Sequence, residues 1–116
     1  MSKNHVDVAS CSGEHPAHTH HPRSVKIIQR TAALFNALGD PARLRLMELL
    51  FDGPHCVSEL AQETTESMSL ISQRLKILYQ AGLVTRQRTG KHIYYSLADE
   101  HVITLLDNAF KHIEEH

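Results

Sequence analysis

The stretch from Asp99 to Glu115 restricts what this chain can fold into more than any other. Val102, Leu106, Ala109 and Ile113 recur at helical spacing, with Ile103 and Phe110 beside them, so the segment reads as one amphipathic helix. Metal-ligand residue types stand in pairs at its two ends, Asp99 with His101 and His112 with Glu115. Eleven residues separate the two histidines. At about 1.5 Å of rise per residue that is roughly 16 Å, whereas one ion holds its ligands at about 2 Å. One helix cannot close such a site. Two copies lying antiparallel across a twofold axis can, because the start of each then faces the end of the other. The result is two equivalent sites, each with two nitrogen and two oxygen donors, suited to tetrahedral zinc. Spacing alone also fits an exposed terminal helix whose polar face carries ordinary histidines and acids.

The chain of 116 residues is the size of one small domain, where core burial alone is marginal and pairing with a second copy helps. Its formal net charge of -1 speaks against a generally basic nucleic-acid binder, but the charge is segregated. From Met68 to Ala98 there is no acidic residue, while Arg74, Lys76, Arg86, Arg88 and Lys91 all fall inside that window. No apolar run approaches the length of a membrane span, and the polar N-terminus lacks the apolar core of a signal peptide. A cytoplasmic protein with no membrane partner is therefore expected, and Cys11 and Cys56 are expected as thiols.

Residues 1–23 hold five of the ten histidines, with Cys11 four positions before His15 and little apolar content. This segment reads as a flexible metal-binding arm ahead of a domain over 24–116. From Ser24 the pattern is helical, with Val25, Ile28, Ala32, Phe35 and Leu38 on one face and a stop at Gly39. Asp40-Pro41 reads as an N-cap and first-position proline, opening a helix that runs up to Gly53-Pro54. A short third helix spans about Val57 to Glu63, and Thr64-Thr65-Glu66 make a turn. Ser67 or Ser69 then caps a fourth helix ending at Ala81-Gly82. A short helix, a tight turn and a helix with polar Ser69, Ser72, Gln73, Arg74 and Lys76 make a helix-turn-helix pattern. Leu83–Arg88 and Ile93–Leu97 read as two strands about Thr89-Gly90-Lys91, a wing whose cations suit phosphate. The fold expected is mainly α with a β-hairpin wing, a winged helix-turn-helix.

The order of four helices, wing and helix, with Leu38-Gly39-Asp40-Pro41-Ala42-Arg43-Leu44-Arg45-Leu46 ahead of it, resembles the ArsR/SmtB family of metal-sensing winged-helix repressors. Cys56-Val57-Ser58-Glu59-Leu60 and the wing Gly90-Lys91-His92-Ile93-Tyr94-Tyr95 carry the resemblance further, and it covers about residues 24–115. It implies a homodimer, built on the first and last helices, that represses metal-efflux or metal-storage genes and leaves palindromic operator DNA on binding metal. The family's zinc-type site on the terminal helix is Asp-x-His followed, eleven residues after its histidine, by His-x-x-Glu; Asp99, His101, His112 and Glu115 match every position. A second family site pairs Cys-x-x-Asp at the third helix with Cys and His four residues apart in the partner's arm. Cys56, Cys11 and His15 match it, but Glu59 stands where aspartate is usual. Arsenite-sensing members use a Cys-x-Cys that this chain lacks, since Ser58 lies two positions after Cys56.

The resemblance thus implies zinc, or cobalt or cadmium in its place, as the ligand and operator DNA as the partner. Ser69, Ser72, Gln73 and Arg74 are expected at bases or backbone, and Lys76, Arg86, Arg88 and Lys91 at phosphates. The alternatives are the same fold sensing cadmium, cobalt, nickel or a redox signal through Cys11 and Cys56, or a metal-buffering protein using the arm. No small organic substrate is expected. Catalysis is disfavoured because protein fills all four coordination positions and leaves none for water.

Overall fold

A computed structural model describes residues 16–17 and 19–116. Five helices and a three-stranded sheet follow in chain order: α1 (Val25–Leu38), α2 (Pro41–Leu49), β1 (His55–Cys56), α3 (Val57–Thr64), α4 (Met68–Gln80), β2 (Val84–Thr89), β3 (His92–Leu97) and α5 (Glu100–Glu114). Each helix begins where a side chain accepts a free amide. Ser24 Oγ takes the amide of Ile27, an Asp40 carboxylate oxygen that of Arg43, Ser67 Oγ that of Leu70, and Asp99 Oδ1 that of Val102. Ser67, not Ser69, is therefore the cap of α4. Pro41 opens α2 as expected. That helix stops at Leu49, earlier than the sequence pattern suggests, and a single 3-10 turn over Leu50–Asp52 carries the chain to Gly53.

At α3 the roles of the capping box are shared across one turn. The Cys56 amide donates to Glu59 Oε1 at 2.9 Å. This bond, with His55 and His92 adding in the same direction, holds the Glu59 carboxyl below the ordinary value of 4.5. The helix ends on Thr65 in the left-handed region at φ 55°, one residue later than the expected stop, which turns the chain sharply into α4. Past α4 the Leu83 amide reaches back to the Leu78 carbonyl at 3.0 Å, a bond made available by Gly82 at φ 77°.

The sheet order is β1-β3-β2, antiparallel throughout. The wing pairs Val84 with Leu97 through to Thr89 with His92, so its loop is only Gly90 and Lys91. Gly90 alone has positive φ there, the pattern of a type II′ hairpin turn. The two-residue strand β1 is not visible as a pattern in the sequence. It pairs His55 with Tyr95 and Cys56 with Tyr94, tying the start of α3 to the wing.

The core gathers Leu46, Met47, Leu60, Ile71, Leu75, Leu78 and Leu83, all essentially inaccessible, so that α2, α3, α4 and the base of the wing share one apolar centre. Val102 and Leu106 add the first half of α5. The apolar face of α1 is different: only Ala37 and Leu38 are buried, while Val25, Ile28 and Phe35 remain exposed, as does Ile113 near the end of α5. Within one protomer each of these residues stays more than half exposed.

The Glu59 cap carries a pH signature. Because the folded carboxyl is held low, its ionisation contributes stability fully above the unfolded value, and the contribution is lost as pH falls through the folded value. Glu59→Gln keeps an oxygen acceptor and removes the charge. At pH 7 the variant should melt below the wild type, and the gap should close on acidification through and below the ordinary carboxylate range. Thermal melts followed by circular dichroism between pH 7 and pH 2 check this, and a gap that does not change with pH would contradict it.

Candidate metal centre and nucleic-acid interface

Helix α4 presents Ser69, Ser72, Gln73 and Lys76 to solvent. Their spacing of three and four residues places them along one face, opposite the buried Ile71, Leu75 and Leu78. Arg74 is set back from that face. Its side chain is mostly buried, with Nη1 3.5 Å from Glu66 Oε2 in the turn before α4. The ion pair ties the turn to α4 and occupies a guanidinium that the sequence pattern assigns to DNA.

Arg86 and Arg88 alternate with Thr85 and Gln87 along β2, so both arginines share a sheet face with Val84. The Arg86 guanidinium lies 4.0 Å above the centre of the Tyr79 ring in the last turn of α4, a cation–π contact between recognition helix and wing. Arg88 and Lys91 are exposed further out towards the hairpin loop. No periodicity rule points to the Tyr79–Arg86 or Glu66–Arg74 contacts, because both depend on how α4 meets its neighbours.

The ligand-type residues of α5 stand at its two ends as the spacing predicts. Asp99 caps the helix with Oδ1, 3.0 Å from the Val102 amide, which leaves its second carboxylate oxygen uncommitted. His101 Nδ1 is 3.8 Å from the same Oδ1, and the imidazole is 98% exposed. His112 and Glu115 are also exposed. Within one protomer the structure does not bring the two pairs together, and among the described residues no three His, Cys, Asp or Glu side chains are arranged to hold a metal ion. The donor set fits zinc in kind, two imidazoles and two carboxylates, but only if two chains contribute.

At α3, Cys56 and Glu59 are brought together. Cys56 is a buried thiol with Sγ 3.2 Å from Ser58 Oγ. It lines a cleft of about 340 Å³ with Met68 from α4 and Lys91, His92 and Ile93 from the wing. Glu59 is exposed and spends Oε1 on the Cys56 amide. Cys11 and His15, the expected arm ligands, lie outside the described residues. Beside this site His55 is largely buried and held by its neighbours. Its Nδ1 lies 2.8 Å from the Gly53 carbonyl, and Nε2 stands 3.7 Å from both Asp52 and Glu63. No helix among the described residues is long and apolar enough to cross a membrane.

Comparison with known proteins agrees with this geometry. Residues 40–86, from the α2 cap into β2, match the bacterial regulatory protein, arsR family. The chain is 44% identical over 87 residues to a transcriptional repressor SmtB homolog of Synechocystis, covering 75% of this chain and 66% of that protein. It is 38% identical over 93 residues to the HTH-type transcriptional regulator NmtR of Mycobacterium tuberculosis, covering 80% of this chain and 78% of that one. Among solved structures, the homodimeric winged helix-turn-helix DNA-binding domain of Mb0332 from Mycobacterium bovis superposes with a TM-score of 0.78 at 28% identity, over 86% of this chain and 93% of that one. With its helix-turn-helix, wing and terminal helix in place, the chain belongs to the ArsR family of winged helix-turn-helix transcriptional repressors, a family of metal-responsive DNA-binding regulators and not of enzymes.

Proposed function

We propose that this protein is a zinc-responsive repressor whose metal-free homodimer holds a palindromic operator and releases it when zinc binds across the α5 helices. The observation that carries the reading is the length of α5: fifteen residues hold Asp99 and His101 apart from His112 and Glu115, so each zinc needs one pair from each protomer. The exposed apolar side chains of α1 and the end of α5 support the dimer, since Val25, Ile28, Phe35 and Ile113 are covered when two copies pair there. Homodimerisation of the Mb0332 domain, which shares the fold, supports the same assembly.

In this assembly the two α4 helices enter successive major grooves with Ser69, Ser72 and Gln73 towards the bases. Lys76, Arg86, Arg88 and Lys91 neutralise phosphates, and Arg74 acts from behind by fixing the turn through Glu66. Zinc staples the protomers at one relative angle and DNA requires another, so each ligand weakens the other through the quaternary state. Couplings of this kind are about 1–3 kcal/mol, enough to empty an operator near its saturation point. Cys56 and Glu59, with Cys11 and His15 of the partner's arm over 1–23, form a second metal site. Cobalt or cadmium are the metals the same donors also take.

Two measurements bear on this. On an operator selected from random DNA by the metal-free protein, His112→Ala should bind as the wild type does but resist release by zinc. An unaltered zinc response in that variant would refute the α5 sensor. If about three cations per protomer neutralise phosphates, the logarithm of affinity should fall with the logarithm of salt at a slope of roughly -5 for the dimer. A slope near zero would remove the α4 and wing face from the interface.

A further inference from the structure

We infer that His112 and His116 form a two-imidazole chelate for a borderline divalent cation within a single protomer, sharing His112 with the four-ligand site between protomers. α5 ends at Glu114, and in the tighter turn that follows the His116 amide donates to the Ile113 carbonyl, three residues back, at 3.2 Å. That turn sets the His116 ring beside the ring of His112. Here the two rings have centroids 4.5 Å apart, tilted by 35°. The His116 Nδ1 lies 3.0 Å from the His112 carbonyl oxygen. A carbonyl only accepts, so Nδ1 carries the hydrogen of that bond and Nε2 keeps its lone pair.

A backbone carbonyl that fixes the tautomer in this way is the usual support of a metal-ligating imidazole. A pair of histidines at this spacing on one helix face is a recurrent zinc-binding arrangement. Imidazole pairs suit zinc, copper, cobalt and nickel over magnesium or calcium. Lys111, next to His112 in sequence, is engaged elsewhere, its Nζ held 2.9 Å from Asp107 Oδ2 one turn back towards the start of α5. Both imidazoles are exposed, so water completes the coordination.

The chelate gives α5 a metal foothold that needs no second chain. Its place in sensing rests on the reading above, in which His112 also serves the site between protomers. A cation caught by the two imidazoles enters that site when its bonds to His116 and water are replaced by bonds to Asp99 and His101 of the partner subunit and to Glu115. His112 stays bound throughout.

The test uses the full chain with the site between protomers disabled by Asp99→Asn, which caps a helix as well as aspartate does, together with His101→Ala. Imidazole nitrogen signals are followed by NMR during titration with zinc chloride, which separates these two histidines from those of the arm. His112 and His116 should shift together, at a zinc concentration on the order of 100-fold below that needed to shift His112 once His116→Ala is added, because the second ligand then no longer acts intramolecularly. His116→Gln, which keeps a polar side chain but no imidazole, should behave like His116→Ala. An identical zinc response of His112 with and without His116 would overturn the chelate. Loss of zinc-driven operator release in the wild type, with the paired shift intact, would count against the sensor between protomers and leave the chelate standing.

Discussion

The rise of an α-helix is the constraint on which the rest of this molecule depends. Asp99 and His101 lie at one end of α5 and His112 and Glu115 at the other, so a rigid rod of about 16 Å separates the two donor pairs of the proposed site. No rotamer change closes that distance. The chain can use these residues jointly only by borrowing the other half from a copy of itself. The same helix buries Val102 and Leu106 in its own protomer and leaves Ile113 uncovered, so its first half anchors it and its second half is available for pairing.

Candidate ligands in this protein are also helix caps. Asp99 starts α5 and Glu59 secures the start of α3, each through one carboxylate oxygen. An acid at a helix start is favoured by the free amides and the helix dipole. For Glu59 the Cys56 amide holds the carboxyl below its ordinary range. Cys56 is in turn paired with Tyr94 of the wing strand, so the start of α3 and the wing form one mechanical unit. The α4 helix is braced on both sides, by Glu66 holding Arg74 and by Tyr79 beneath Arg86.

Much of this was legible in the residues, for identifiable reasons. Asp40-Pro41, Gly39 and Gly82 punctuate the helices by local chemistry, and alternation with Gly90 marks the wing, so these elements stand where the sequence places them. Strand β1 was hidden because two residues have no period. The choice of Ser67 over Ser69 as cap turned on where Thr65 bends the chain. Val25, Ile28, Ala32, Phe35 and Leu38 share a face by helical spacing, but periodicity does not say whether that face covers its own core or another chain's. Arg74 shows the opposite limit: its charge and position suggest DNA, and its partner Glu66 emerges only once the turn is folded. The four ligands proposed on α5 rest on spacing and family likeness together, since neither pair is complete within its own protomer.

The most direct test of a shared site is a mixed dimer. One chain carries Asp99→Asn and His101→Ala, the other His112→Ala and Glu115→Gln, and each alone forms dimers with no complete α5 site. Co-assembled, the first chain's His112 and Glu115 face the second chain's Asp99 and His101, which rebuilds one site and leaves its twin empty. Zinc should release the mixed dimer from operator DNA while neither parent dimer responds. A mixed dimer as unresponsive as its parents would contradict a site built from both chains.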